Sequence, residues 1–130
     1  MLVGLILGAA SASQPAGELH DDQYAAAVAY AETRLRSGID LRDWAAAAGM
    51  AAPDFTRRFR RRTGTAPYAW FMDRRIDAAM HLLGTTDQPI LDIALELGFS
   101  SQSHFTDAFK HRTGVAPGRW RAACRATTAR

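Results

Sequence analysis

The sequence predicts an all-α protein of about seven helices, built as two helix-turn-helix subdomains joined by a long connecting helix. Three observations predict it. One pattern of residues occurs twice along the chain. Apolar residues before and between the copies recur at helical spacing. The hydrophobic share of 48% leans on alanine, while aromatic residues make up only 9%, a balance that favours helix over sheet. A chain of 130 residues suits one compact domain or two very small ones. A few large side chains must therefore anchor the core.

The repeat is the organising feature. LRDWAAAAGMAAPDFTRRFRRRTGTAPYAW covers residues 41–70, and ILDIALELGFSSQSHFTDAFKHRTGVAPGRW covers residues 90–120. With one extra residue in the second copy near His104, identities include Asp43/Asp92, Ala45/Ala94, Gly49/Gly98, Phe55/Phe105, Thr56/Thr106, Phe59/Phe109, Arg62/Arg112, Thr63/Thr113, Gly64/Gly114, Pro67/Pro117 and Trp70/Trp120. Stacked solenoids usually need at least three units. Two copies suggest a tandem pair that does one job twice.

Taken in chain order, Tyr24, Val28, Ala31 and Leu35 mark a first amphipathic helix. In copy one, Asp40 is a good N-cap with Asp43 three residues on, and Ile39 and Trp44 flank that cap as a staple. Gly49 ends this helix, Pro53 opens the next, and Gly64 ends that one. The connecting helix spans 67–83, with Tyr68, Phe71, Met72, Ile76, Ala79, Leu82 and Leu83 at helical spacing; Gly84 is expected to stop it. TTDQP is then expected to cap copy two, where Ile90, Ile93, Ala94 and Leu97 form one apolar face. Gly98 makes the turn and Ser101 caps the second helix. Trp44, Phe55, Phe59, Ile93, Phe105 and Phe109 are the expected core. The paired phenylalanines, four apart, lock each second helix onto its first and leave the opposite face free.

Charge is unevenly spread. The first 40 residues set Arg34 and Arg36 against Glu18, Asp21, Asp22, Glu32 and Asp40, a net of −3; the remainder holds 14 basic and 8 acidic residues, a net of +6. Lys110 is the single lysine, so the excess is arginine. Arginine favours planar partners such as phosphates and guanine edges, although a GC-rich coding sequence also raises arginine and alanine. On the free face of each second helix stand Pro53, Thr56, Arg57 and Arg60 in copy one, and Gln102, Ser103, Thr106, Asp107 and Lys110 in copy two. Arg57 suits the O6 and N7 of guanine, and Gln102 the N6 and N7 of adenine. Arg60, Arg61, Lys110, Arg112 and Arg121 suit phosphates, which set affinity and register. Asp107 stands where copy one has Arg57, so copy two is expected to contribute orientation and modest specificity.

Other chemistries find little support. Cys124 is the only cysteine, so no disulfide framework or thiolate zinc site is expected, and a reducing compartment fits. His104 and His111 lack carboxylate or cysteine support for a metal. No phosphate-binding glycine loop or nucleophile elbow occurs, so no enzyme, cofactor or metal is expected. Asp73 and Asp77 beside Arg74 and Arg75 read as a solvated, paired face. Ser100, Ser101 and Ser103 read as turn and cap residues. No apolar run approaches the ~20 residues of a membrane helix. The apolar start, Met1 to Gly8, lacks the basic flank of a signal peptide. It reads as a remnant of a preceding domain or a partner-contacting tail, followed by a linker over 11–18.

ALELGFSSQSHFTDAFKHRTGVAP, residues 94–117, closely resembles the signature of the AraC/XylS family of bacterial transcription regulators, and residues 41–83 resemble that family's first helix-turn-helix and connecting helix. The resemblance spans roughly residues 22–121. It implies a seven-helix domain whose recognition helices enter successive major grooves on one face of duplex DNA. It places the base-facing positions on Pro53, Thr56 and Arg57, and on Gln102, Ser103, Thr106 and Asp107. This chain departs from the family pattern at Asp107, where a basic residue is common. It departs again at Ala51 and Ala52, where a polar cap is usual, so the first recognition helix should be less well capped. Successive grooves lie ~34 Å apart, and a helix over 67–83 spans about 25 Å; a rigid connection would fit DNA bent to suit it.

The expected organisation is a tail and linker over 1–19, a DNA-binding domain over 20–125 with helix-turn-helix units at about 41–64 and 90–113, and a short tail over 126–130. The expected function is sequence-specific binding of promoter DNA by a cytoplasmic, nucleoid-associated regulator. RNA polymerase and an N-terminal effector or dimerisation domain are the further partners that the resemblance implies. The alternative is a basic helical module that meets an acidic partner such as RNA polymerase without reading sequence. RNA binding lacks the exposed aromatic platforms it would need.

Overall fold

The structure, a computed structural model, describes residues 17–128. The expectations for the apolar start and most of the linker lie outside the described residues. Seven helices and no strand occur among those residues. They are α1 (Asp21–Glu32), α2 (Leu41–Ala47), α3 (Ala52–Thr63), α4 (Pro67–Thr85), α5 (Ile90–Glu96), α6 (Gln102–Thr113) and α7 (Pro117–Thr128). They form two compact units. One joins the described residues up to Glu32 with Asp40–Ala69; the other joins Thr33–Ile39 with the chain from Trp70 onward.

The first unit is built around Trp44. Its indole is buried, and its Nε1–H donates to the Ala27 carbonyl at 2.9 Å. That bond satisfies the one polar atom of the ring, as burial requires. Ala27, Ala31 and Ala45 are fully buried, and their small side chains make room for the indole between α1 and α2. Phe55 and Phe59 of α3 close the other side, with ring centroids 5.3 and 5.4 Å from Trp44. Asp40 caps α2 by accepting from the Arg42 and Asp43 amides. Helix α1 ends at Glu32, before Leu35, so the expected apolar stripe is shorter and rests on Ala27 and Ala31.

In the second unit, Ile76, Ala79 and Leu83 of α4 meet Ile93, Ala94, Leu97, Phe99, Phe105 and Phe109 in one buried cluster. Trp120 of α7 packs against it, and its indole N–H donates to the Met80 carbonyl at 3.4 Å. The repeat identities now have a physical meaning. Thr63 and Thr113 each donate a hydroxyl to the carbonyl four residues back and accept the amide two residues on. This closes α3 and α6 in the same way, with Gly64 and Gly114 as left-handed caps.

Three local expectations are corrected. Gly84 does not stop the connecting helix, which runs to Thr85. The Thr85 and Thr86 hydroxyls take up the His81 and Leu82 carbonyls, and Arg121 takes that of Leu83, so the end is satisfied without a glycine cap. TTDQP supplies no side-chain cap to α5; Pro89 is its N-cap residue and makes no such bond. Tyr68, counted among the apolar stripe, is 61% exposed. In addition, α7 continues past the expected domain end at Arg125.

The two second helices start differently. Ser101 accepts the His104 amide at 3.0 Å, whereas Ala51, in the same extended conformation, provides no side-chain cap to α3. Ala51→Ser is therefore expected to stabilise the protein by about 1 kcal/mol. A urea denaturation midpoint that stays at or below the wild-type value would contradict this.

Candidate nucleic-acid interface

Helices α3 and α6 each bury two phenylalanines on one side, Phe55 with Phe59 and Phe105 with Phe109. The side chains on the other face are left to solvent. On α3, Pro53, Arg57, Arg60 and Arg61 are exposed and Thr56 is half-buried. On α6, Gln102, Ser103, Asp107 and Lys110 are exposed and Thr106 is half-buried. The base-facing candidates of each copy therefore share one helix face, and all lie outside the core.

The cations on these helices fall into two groups. The side chains of Arg60 and Lys110, matched positions of the repeat, form no hydrogen bond or ion pair among the described residues. Arg62 and Arg112, also matched, are tied to the helix that precedes each unit's core. Arg62 pairs with Asp21 at 2.8 Å, donates to the Leu19 carbonyl at 3.2 Å and covers the Tyr24 ring at 4.4 Å. Arg112 reaches Asp77 at 3.2 Å and Asp73 at 3.8 Å. Arg121 donates to the Leu83 and Thr86 carbonyls at 3.1 and 3.2 Å, where a cation favours the carbonyl end of α4. Arg61 lies against Gly17, where an added Cβ would meet its Nη1 at 2.2 Å.

Arg57 is intermediate. Its side chain is 57% exposed, and its Nη2 donates to Asp54 Oδ1. Arg58 Nε approaches both oxygens of the same carboxylate, at 3.0 and 3.1 Å.

Sequence reasoning missed Arg75. It was expected on a solvated face, yet it is 6% exposed. Its Nε donates to the Leu35 carbonyl at 2.9 Å, and its guanidinium covers the Phe71 and Phe99 rings. Asp73 and Asp77 pair with Arg112 of α6, across the unit and not only along their own helix. The identity of Arg62 and Arg112 within the repeat was a usable signal for a scaffold role, because the other shared residues are mostly core and caps. Nothing comparable marks Arg75. Among the described residues, no three His, Cys, Asp or Glu side chains gather as a metal site, and no helix is long and apolar enough to cross a membrane.

Two helix-turn-helix units built on one plan, each leaving a polar second helix facing outward, define the class: a tandem helix-turn-helix protein. Residues 44–123 match the family described as a helix-turn-helix domain, and the chain belongs to that family, in its AraC type. It is 43% identical over 89 residues to the HTH-type transcriptional regulator ExsA of Pseudomonas aeruginosa, covering 66% of this chain and 32% of that protein. It is 38% identical over 99 residues to the virulence regulon transcriptional activator VirF of Yersinia enterocolitica, covering 76% of this chain and 36% of VirF. The chain thus spans about a third of the length of these relatives. The DNA-binding domain of AdpA, a global transcriptional factor solved in complex with a target DNA, superposes with a TM-score of 0.73 at 37% identity, over 79% of this chain and 93% of that one. An AraC-type transcriptional regulator from Chromobacterium violaceum superposes with a TM-score of 0.76 at 27% identity, over 79% and 92%.

Proposed function

We propose that the chain is the sequence-reading part of a transcription regulator, placing α3 and α6 in successive major grooves of promoter DNA. The observation that carries this is the duplicated outward face, polar and basic on α3 and repeated in register on α6. The likeness to a domain solved on its target DNA supports it. Pro53, Thr56 and Arg57 would meet bases in one groove, and Gln102, Ser103, Thr106 and Asp107 in the next. Arg60 and Lys110, whose side chains have no partner to give up among the described residues, would take phosphates, with Arg61 beside them. Arg112 and Arg121 would reach phosphate only by sharing donors with the carbonyls and carboxylates that they now hold. Such a regulator acts in the cytoplasm, on the chromosome. RNA polymerase and an effector or dimerisation domain belong to the same proposal.

Selection of bound duplexes from a random pool, at near-physiological salt, is the test. Two enriched blocks about 10 base pairs apart are expected. Arg57→Ala is expected to weaken binding by about 1–3 kcal/mol and to relax preference at one or two base pairs. Binding without any enriched sequence, vanishing as salt rises, would instead mark a basic module for an acidic partner.

A further inference from the structure

We infer that Asp54 is a positioning residue for base recognition, holding the guanidinium of Arg57 in its reading orientation; this rests on the role proposed for Arg57. Asp54 sits in the first turn of α3. Its Oδ1 accepts from Arg57 Nη2, and both of its oxygens accept from Arg58 Nε. Arg58 is in turn held inward: its side chain is 32% exposed, and its Nη1 lies 3.5 Å from the Glu18 carbonyl. The carboxylate thus links an anchored arginine to an exposed one.

The chemistry favours positioning over simple neutralisation. An arginine on an open helix face samples many rotamers and loses that freedom when it docks on a base. A carboxylate that engages Nη2 narrows the choice before DNA arrives, which is preorganisation. The remaining N–H groups stay available to fork onto guanine O6 and N7. Asp54 also places negative charge near the phosphates, so it opposes binding that does not depend on sequence. Helix α6 has no such device: His104 stands just before Phe105 where Asp54 stands just before Phe55, and Asp107 replaces Arg57.

The test compares wild type, Asp54→Ala, Asp54→Glu, Arg57→Ala and the Asp54→Ala/Arg57→Ala double variant. Each is titrated against the selected duplex and against one changed at the base pair that Arg57→Ala no longer distinguishes. Asp54→Ala is expected to lower that discrimination about fivefold to tenfold, while affinity for the changed duplex stays level or rises. In the Arg57→Ala background, removing Asp54 is expected to leave discrimination unchanged. Asp54→Glu keeps the charge at the helix start and displaces the carboxylate. It is expected to lose part of the discrimination at an unchanged denaturation midpoint, and it carries the test if the alanine variant folds poorly. Unchanged discrimination in both Asp54 variants, or an equal loss of affinity for both duplexes, would overturn the inference while leaving Arg57 as a base reader. If Arg57→Ala itself keeps every base preference, the base-reading assignment falls and this inference falls with it.

Discussion

Phe105→Ala is expected to destabilise the second unit by about 3–5 kcal/mol, enough to unfold or loosen it near body temperature. Phe105 is fully buried, with ring centroids 5.2 Å from Phe99 and 5.7 Å from Phe109. It joins the turn residue, the second helix and the Ile76–Leu83 stripe of α4 in one cluster. Truncation removes the transfer free energy of the ring and leaves a cavity that two neighbouring aromatic side chains can fill only by leaving their rotamers. Chemical denaturation of the purified chain, followed by circular dichroism, reads the effect. A variant with wild-type midpoint and slope would contradict the buried position.

Gly98→Ala is expected to cost about 2–5 kcal/mol, whereas Gly49→Ala at the matched turn should cost only about 1–2. Both glycines adopt positive φ, +86° and +82°, a region that penalises any L side chain. The difference is in what surrounds them. A Cβ on Gly98 would lie 2.4 Å from Arg75 Nη2 and 2.8 Å from the Arg36 carbonyl, while a Cβ on Gly49 would meet nothing within 4 Å. The Arg75 guanidinium has little room to retreat, since its Nε is bonded to Leu35 and its face rests on Phe71 and Phe99. The two alanine variants measured side by side by urea denaturation decide the matter. Equal losses would mean that only the backbone conformation counts at Gly98.

The repeat, the helices and the core were legible in the residues themselves, because each rests on short-range rules. Phenylalanines four apart must share a helix face. Asp40 and Ser101 stand where an orphan amide needs an acceptor, and Ala51 offers none. The outward face followed by exclusion: once Phe55 and Phe59 point inward, Pro53, Thr56, Arg57 and Arg60 have only the other side. Gly84 misled for the same local reason. Glycine near a helix end usually marks the stop, but here the threonine hydroxyls and Arg121 complete the last turn.

What the sequence by itself determined is therefore an all-α, duplicated helix-turn-helix chain, with its core faces and the residues that those faces leave outside. The tertiary structure alone decided which arginines remain available. Arg62, Arg75, Arg112 and Arg121 find partners some 35 to 43 residues away along the chain. Helical periodicity says which side of a helix a cation occupies. It does not say which carbonyl or carboxylate a distant helix will bring within reach, and that encounter separates Arg60 and Lys110, open to a ligand, from the arginines that hold the fold together.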